Sequence, residues 1–115
     1  MRTVHTDGVN LSGIGLDIGG TKLAGAAIDP SGSVVARDRQ ATPLGDGEAV
    51  VKACVRTAEN LLTVARSGGL TAGPITIAMP GTIDRATGTV VNAPVLSMTR
   101  VPIVELCQQA LGHPV

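Results

Sequence analysis

The chain has 115 residues, and its 9 Lys plus Arg balance 9 Asp plus Glu for a formal net charge of zero; that is enough for one modest domain and lacks the basic excess of a dedicated nucleic-acid or anionic-membrane binder. Hydrophobic residues make up 43% and charged ones 16%, with 15 Gly and 7 Pro, a globular, turn-rich composition rather than a disordered one. There is no Phe, Tyr or Trp, so the core must come from Val, Ile, Leu, Ala and Met, and stacking recognition of single strands has no aromatic platform.

Residues 1–12 read as a polar lead-in, with His5 as an exposed tail residue and Gly8 and Asn10 favouring turns. They lack the apolar stretch of a signal peptide, and no run in the chain is long and apolar enough to cross a membrane, so a cytoplasmic location is expected. From Gly13, the alternation of Ile14, Leu16 and Ile18 with Gly13, Gly15 and Asp17 predicts a strand with one apolar face. Gly19-Gly20-Thr21-Lys22 forms a tight polar loop, and Leu23 to Ile28 is a second strand of small apolar residues. Asp29-Pro30-Ser31-Gly32 is a turn, because proline presets φ and glycine ends it. Ser33 to Arg39 is a third strand, giving an antiparallel meander.

Asp46 is the expected N-cap of a helix running to about Arg66, with Val50, Cys54, Ala58, Leu61 and Ala65 on one stripe and Gly68-Gly69 as its stop. Ile75, Ile77 and Met79 form a short strand after Pro74, expected parallel to the first strand because a crossover helix precedes it. Residues 82–93 read as a small hairpin or loop excursion and residues 94–100 as irregular. Pro102 suits the first turn of a helix carrying Ile103, Leu106, Ala110 and Leu111 as its apolar stripe, ended by Gly112. His113-Pro114-Val115 then reads as the start of a further strand. Cys54 and Cys107 stand 53 positions apart with no C-x-x-C pair, which excludes a zinc knuckle and favours two buried reduced thiols on helices over a disulfide.

The chemistry-bearing segment is G-L-D-I-G-G-T-K, Gly15 to Lys22. A carboxylate near the end of a strand is followed by two glycines, a hydroxyl and an ammonium. Glycines let backbone N–H groups approach an anion, Thr21 donates to a phosphate oxygen, and Lys22 supplies charge. Asp17 cannot meet phosphate directly but can hold a Mg²⁺ ion that does. Together Gly15, Asp17, Gly19, Gly20, Thr21 and Lys22 describe a nucleotide-phosphate site. The order of Thr and Lys excludes a Walker A loop, and Ile18 excludes G-x-G-x-x-G. The plain alternative is a β-hairpin loop with glycine at positive φ and a surface lysine. A second segment, Met79-Pro80-Gly81-Thr82-Ile83-Asp84, leaves the C-terminal end of a predicted parallel strand, where ligands bind in open α/β sheets. Gly81 can present its backbone there and Asp84 can accept from a hydroxyl; the alternative is a Pro-Gly turn capped by an Asx turn.

D-I-G-G-T-K, then M-P-G-T-I-D-R-A-T-G-T-V-V-N-A-P, then V-P-I-V-E-L and L-G-H-P-V, in this order and spacing over residues 13–115, resemble the ROK family of repressors, open-reading-frame proteins and sugar kinases, including bacterial glucokinases. The resemblance implies an α/β fold, the N-terminal lobe of the actin-like ATPase (ribonuclease H-like) class. It implies that Asp17 through Lys22 contact Mg²⁺ and the phosphates of ATP, and that Pro80, Gly81 and Asp84 line the sugar side of a cleft. The reaction would be transfer of the γ-phosphoryl group of ATP to a sugar hydroxyl, mostly a matter of positioning and charge neutralisation with a carboxylate as base. No catalytic residue falls within the chain: the family's general-base Asp is expected beyond Val115. The second lobe, with its adenosine loop, structural zinc ligands and dimer contacts, is expected there too. Family members usually carry an Asn after Ala-Pro that helps hold the sugar, where this chain has Val95, whose side chain cannot hydrogen-bond a hydroxyl.

Small-molecule sugar and ATP are therefore the expected partners, with no nucleic acid and no membrane. Two readings follow: the front part of a ROK-type sugar kinase, inactive as these 115 residues alone, or a non-catalytic sugar-sensing ROK protein whose active site has decayed. The Asp17, Thr21 and Lys22 set favours the first, and Val95 the second. A scaffold piece that only pairs with another subunit is a third.

Overall fold

A computed structural model describes residues 11–115. In chain order it contains β1 (Leu11–Ile18), β2 (Lys22–Ile28), β3 (Val34–Ala41), α1 (Gly47–Ser67), β4 (Thr71–Ala78), β5 (Thr82–Asp84), β6 (Thr89–Ala93), a 3-10 turn (Pro94–Leu96), β7 (Met98–Val101) and α2 (Ile103–Leu111). Residues 1–10, His5 among them, lie outside the described residues. β1 begins two residues before the expected Gly13, because Leu11 and Ser12 pair with Thr71 and Ala72 of β4.

The main sheet has the order β3-β2-β1-β4. β1 runs antiparallel to β2 and parallel to β4, and β2 runs antiparallel to β3. Ile14, Leu16 and Ile18 point to one face and are at most 3% exposed. On that face lies α1, whose Val50, Cys54, Ala58, Leu61 and Ala65 are buried at the expected helical spacing. Asp46 caps the helix as its sequence position requires, its carboxylate accepting from the N–H groups of Glu48 and Ala49 at 3.0 and 3.2 Å. Gly25 of β2 lets α1 come close: a Cβ there would lie 2.7 Å from Leu61 and 2.9 Å from Leu16. The opposite face carries Gly15, Asp17, Ala24, Ala26, Arg37 and Arg39 and forms a groove of about 590 Å³.

β4 starts upstream of Pro74, where the sequence placed a boundary. The pairing with β1 steps from Ser12–Ala72 to Ile14–Ile75, so β4 carries one extra residue at Gly73-Pro74. This bulge is how a residue without an N–H is accepted into the ladder. On the outer edge of β4, Ile75 N–H donates to the Pro114 carbonyl at 3.2 Å, and His113 Nε2 hydrogen-bonds the Gly73 carbonyl. The segment expected to begin a strand thus lies along that edge.

The second sheet has the order β5-β6-β7, all antiparallel. Residues 94–100, expected to be irregular, instead form the 3-10 turn and β7. Met98 pairs with Ala93 and is 1% exposed, and it draws the short polar segment Thr99-Arg100 into the ladder. In α2 the buried positions are Ile103 and Cys107. Leu106 and Ala110, expected in the apolar stripe, face a groove shared with Val51 and Val55 of α1. Both thiols are free and buried. One contiguous core joins the two sheets and both helices.

Candidate functional site

β1 and β4 are parallel neighbours, so their C-terminal ends lie together, Asp17 beside Ala78. The β1–β2 loop and the Met79-Gly81 segment therefore leave the sheet at one end. This is the position that open α/β sheets use for ligands. Asp17 stands on the open face, and its cross-strand neighbours there are Ala24 and Ala78. Small side chains on both sides leave the carboxylate uncovered. Lys22 pairs with Ala41 at the start of β2, and strand alternation puts it on the same face as Ala24. Among the described residues neither Asp17 nor Lys22 has an ion-pair partner; the ion pair present is Lys52–Glu48 on the surface of α1, at 3.3 Å. Gly15 lies two residues upstream of Asp17 in the body of β1, under the same groove.

The loop itself is tightly made. Gly19 N–H donates to the Lys22 carbonyl at 2.8 Å, closing the turn. Thr42, 4% exposed, holds it from the side. Its hydroxyl donates to the Gly19 carbonyl at 2.7 Å, and its N–H donates to the Thr21 carbonyl at 2.9 Å. With these bonds made, the N–H groups of Gly20 and Thr21 and the Thr21 hydroxyl have no acceptor or partner among the described residues. Two free amides, a hydroxyl, an ammonium and a carboxylate share one exposed corner, a donor set that fits phosphate oxygens and a hydrated divalent cation.

Neither Gly19 nor Gly20 adopts a left-handed backbone, so positive φ is not what requires glycine here. Space is: a Cβ on Gly20 would lie 2.7 Å from Val95 Cγ1 in the 3-10 turn. Gly81, in contrast, has φ 120° and presses on β6, where a Cβ would lie 2.6 Å from the Asn92 carbonyl. Pro80 precedes it, exposed at the end of β4. Asp84 sits at the β5–β6 hairpin, where its Oδ1 accepts from Ala86 N–H at 3.0 Å and its carbonyl accepts from Gly88 N–H at 2.9 Å. Its carboxylate is thus engaged in an Asx turn, with the rest of the group exposed.

Sequence reasoning missed Thr42 and the seating of Val95 on Gly20, because both contacts join segments far apart in the chain. It also passed over Arg37 and Arg39, which the pairing with Ala26 and Ala24 places beside the groove. The thiols are not reactive centres: burial pushes Cys54 up to about 12, with nearby Cys107 adding to the effect, and burial pushes Cys107 up to about 11. Among the described residues no three His, Cys, Asp or Glu gather to hold a metal, and no helix is long and apolar enough to cross a membrane.

The ROK family profile matches residues 13–115. The chain belongs to the ROK family. It is 32% identical over 102 residues to a glucokinase of Streptomyces coelicolor, covering 89% of this chain and 30% of the relative. The crystal structure of a ROK family glucokinase from Streptomyces griseus, in complex with glucose and AMPPNP, superposes with a TM-score of 0.77 at 30% identity, covering 90% of this chain and 31% of that one. A ROK family transcriptional regulator, a homologue of the E. coli MLC protein, has the same fold, with a TM-score of 0.81 at 18% identity over 94% of this chain and 27% of its own. This chain therefore spans about a third of the length of these ROK proteins.

Proposed function

We propose that these residues form the N-terminal lobe of an ATP-dependent sugar kinase of the ROK glucokinase type, with the actin-like ATPase fold, transferring the γ-phosphoryl group of ATP to a sugar hydroxyl. The observation that carries this reading is the pair of free amides at Gly20 and Thr21, in a loop that Thr42 fixes through the Gly19 and Thr21 carbonyls, beside Asp17 and Lys22. Both donors are left for a ligand's oxygens, next to a lysine and a carboxylate that have no ion-pair partner among the described residues. In this reading Gly20, Thr21 and Lys22 bind and orient phosphate oxygens, and Asp17 holds the Mg²⁺ ion through water. The cation, when bound, offsets phosphate charge. Gly15 keeps the approach to Asp17 open. Pro80, Gly81 and Asp84 border the sugar side. The general base, structural zinc and dimer contacts belong to the second lobe of such a kinase.

The test is titration of the chain with magnesium ATP, followed on the amide resonances of Gly20 and Thr21. Saturable shifts are expected, abolished by Lys22→Ala and weakened by Asp17→Asn. No turnover with glucose is expected from these residues alone. The reading fails if neither amide responds. A second reading, a sugar-sensing ROK protein, is favoured by Val95, an apolar side chain 60% exposed beside the loop. It takes over if glucose shifts the Gly81 region while magnesium ATP shifts nothing.

A further inference from the structure

The phosphate loop is gripped from two sides. Thr42 holds one, through its hydroxyl on the Gly19 carbonyl and its N–H on the Thr21 carbonyl. On the other side Val95 Cγ1 occupies the space into which a Gly20 side chain would project, 2.7 Å from that Cβ position. Val95 is carried by a firmly anchored turn. Ala93, Leu96 and Met98 around it are each 1% exposed. Ser97 closes the turn with its N–H on the Pro94 carbonyl at 3.0 Å, and it rests on the start of α1, where a Cβ on Gly47 would lie 2.7 Å from the Ser97 carbonyl. A β-branched side chain is stiff at χ1, so the isopropyl group cannot swing away at little cost. Yet Val95 is 60% exposed, and most of its surface contributes nothing to the core.

We propose that Val95 is a positioning residue that braces the phosphate loop: seated on Gly20, it keeps the Gly20 and Thr21 amides preorganised and ties the loop to the second sheet. This rests on the phosphate-binding reading of the loop. Preorganisation raises affinity by removing the ordering cost of binding, so removing the brace should weaken anion binding while leaving the fold intact.

The experiment compares wild type with Val95→Ala, Val95→Ile, Gly20→Ala and the double variant Gly20→Ala/Val95→Ala. Because the loop-closing amides are Gly19 and Thr42, their hydrogen exchange reports loop opening. In Val95→Ala these two amides are expected to exchange about fivefold faster or more, with the global unfolding midpoint unchanged. Val95→Ile should behave as wild type. Gly20→Ala should disturb the loop, and the double variant should restore it, since the obstacle to that methyl is the Val95 side chain and not the backbone. Affinity for magnesium tripolyphosphate, read on the Gly20 and Thr21 amides, should fall several-fold in Val95→Ala. Unchanged exchange in Val95→Ala, or no rescue in the double variant, overturns the brace. Tripolyphosphate binding that ignores Val95→Ala but is lost in Lys22→Ala also overturns it while sparing the phosphate reading. Absence of binding in wild type removes the phosphate reading, and the exchange and rescue results, which need no ligand, still decide whether Val95 braces the loop.

Discussion

Thr42 shows how one side chain sets a loop's chemistry. Its buried hydroxyl satisfies the Gly19 carbonyl, and its backbone satisfies Thr21. Thr42→Val keeps the shape and strands that carbonyl, so a loss of about 1–3 kcal/mol is expected in denaturant melts, with added mobility at Gly20. The thiols make a second residue-scale case. Burial raises both thiols above their ordinary value of 9.0, Cys54 to about 12 and Cys107 to about 11. Below pH 9 both states hold the protons and the full stability is present. As pH rises past 9 the unfolded chain loses protons first, so stability falls progressively toward the folded values. Unfolding midpoints between pH 8 and 10.5 should decline, and a Cys54→Ala/Cys107→Ala variant should flatten that decline. Asp29 shifts the opposite way: the Ser31 hydroxyl, then the Ser33 N–H, hold its carboxyl below the ordinary range on the exposed β2–β3 turn.

Elements follow the same logic one level up. The N-cap of α1 was readable from Asp46 alone, because capping is local, and Asp46→Ala should cost about 1 kcal/mol of stability by chemical denaturation. The stripe of α1 was readable from its spacing. Leu61, 1% exposed, sits where that stripe meets the sheet, and Leu61→Ala should cost about 2–5 kcal/mol. β3 was harder. Its helix-facing residues include Gln40, whose Nε2 donates to buried Thr57 Oγ1 at 2.6 Å and to the Ala53 carbonyl at 3.2 Å. A polar residue facing a helix defeats a hydrophobic pattern, and only the partner on α1 explains it. β7 was missed for a related reason: four residues with a Thr-Arg centre have no periodicity to read. The strand exists because β6 lies beside it.

At the scale of the molecule, two sheets share one core, and their junction carries the candidate site. The β1–β2 loop belongs to the first sheet and the turn bearing Val95 to the second, and the two meet at Gly20. The open face of the first sheet, with Ala24 and Ala26 between Asp17 and the two arginines, forms the groove that runs up to the candidate site. Family membership follows from the match over residues 13–115. The proposed substrate reading rests on the loop, and this chain spans about a third of the length of the glucokinase it matches.

The sequence by itself determined what is local. The β1 alternation, the glycine loop with Asp17 and Lys22, the cap and stripe of α1, and the motif order that marks the ROK family are all patterns of neighbours, set by backbone geometry and side-chain period. Tertiary structure decided what depends on residues distant in the chain meeting. It used the two loop glycines for close approach rather than for positive φ, buried Thr42 as the clasp of the loop, paired β7, and absorbed Pro74 in a bulge. It also brought Val95 onto Gly20, 75 positions away along the chain. The physical reason is that packing and hydrogen-bond satisfaction are settled in three dimensions, where a contact's value depends on what else is already in place.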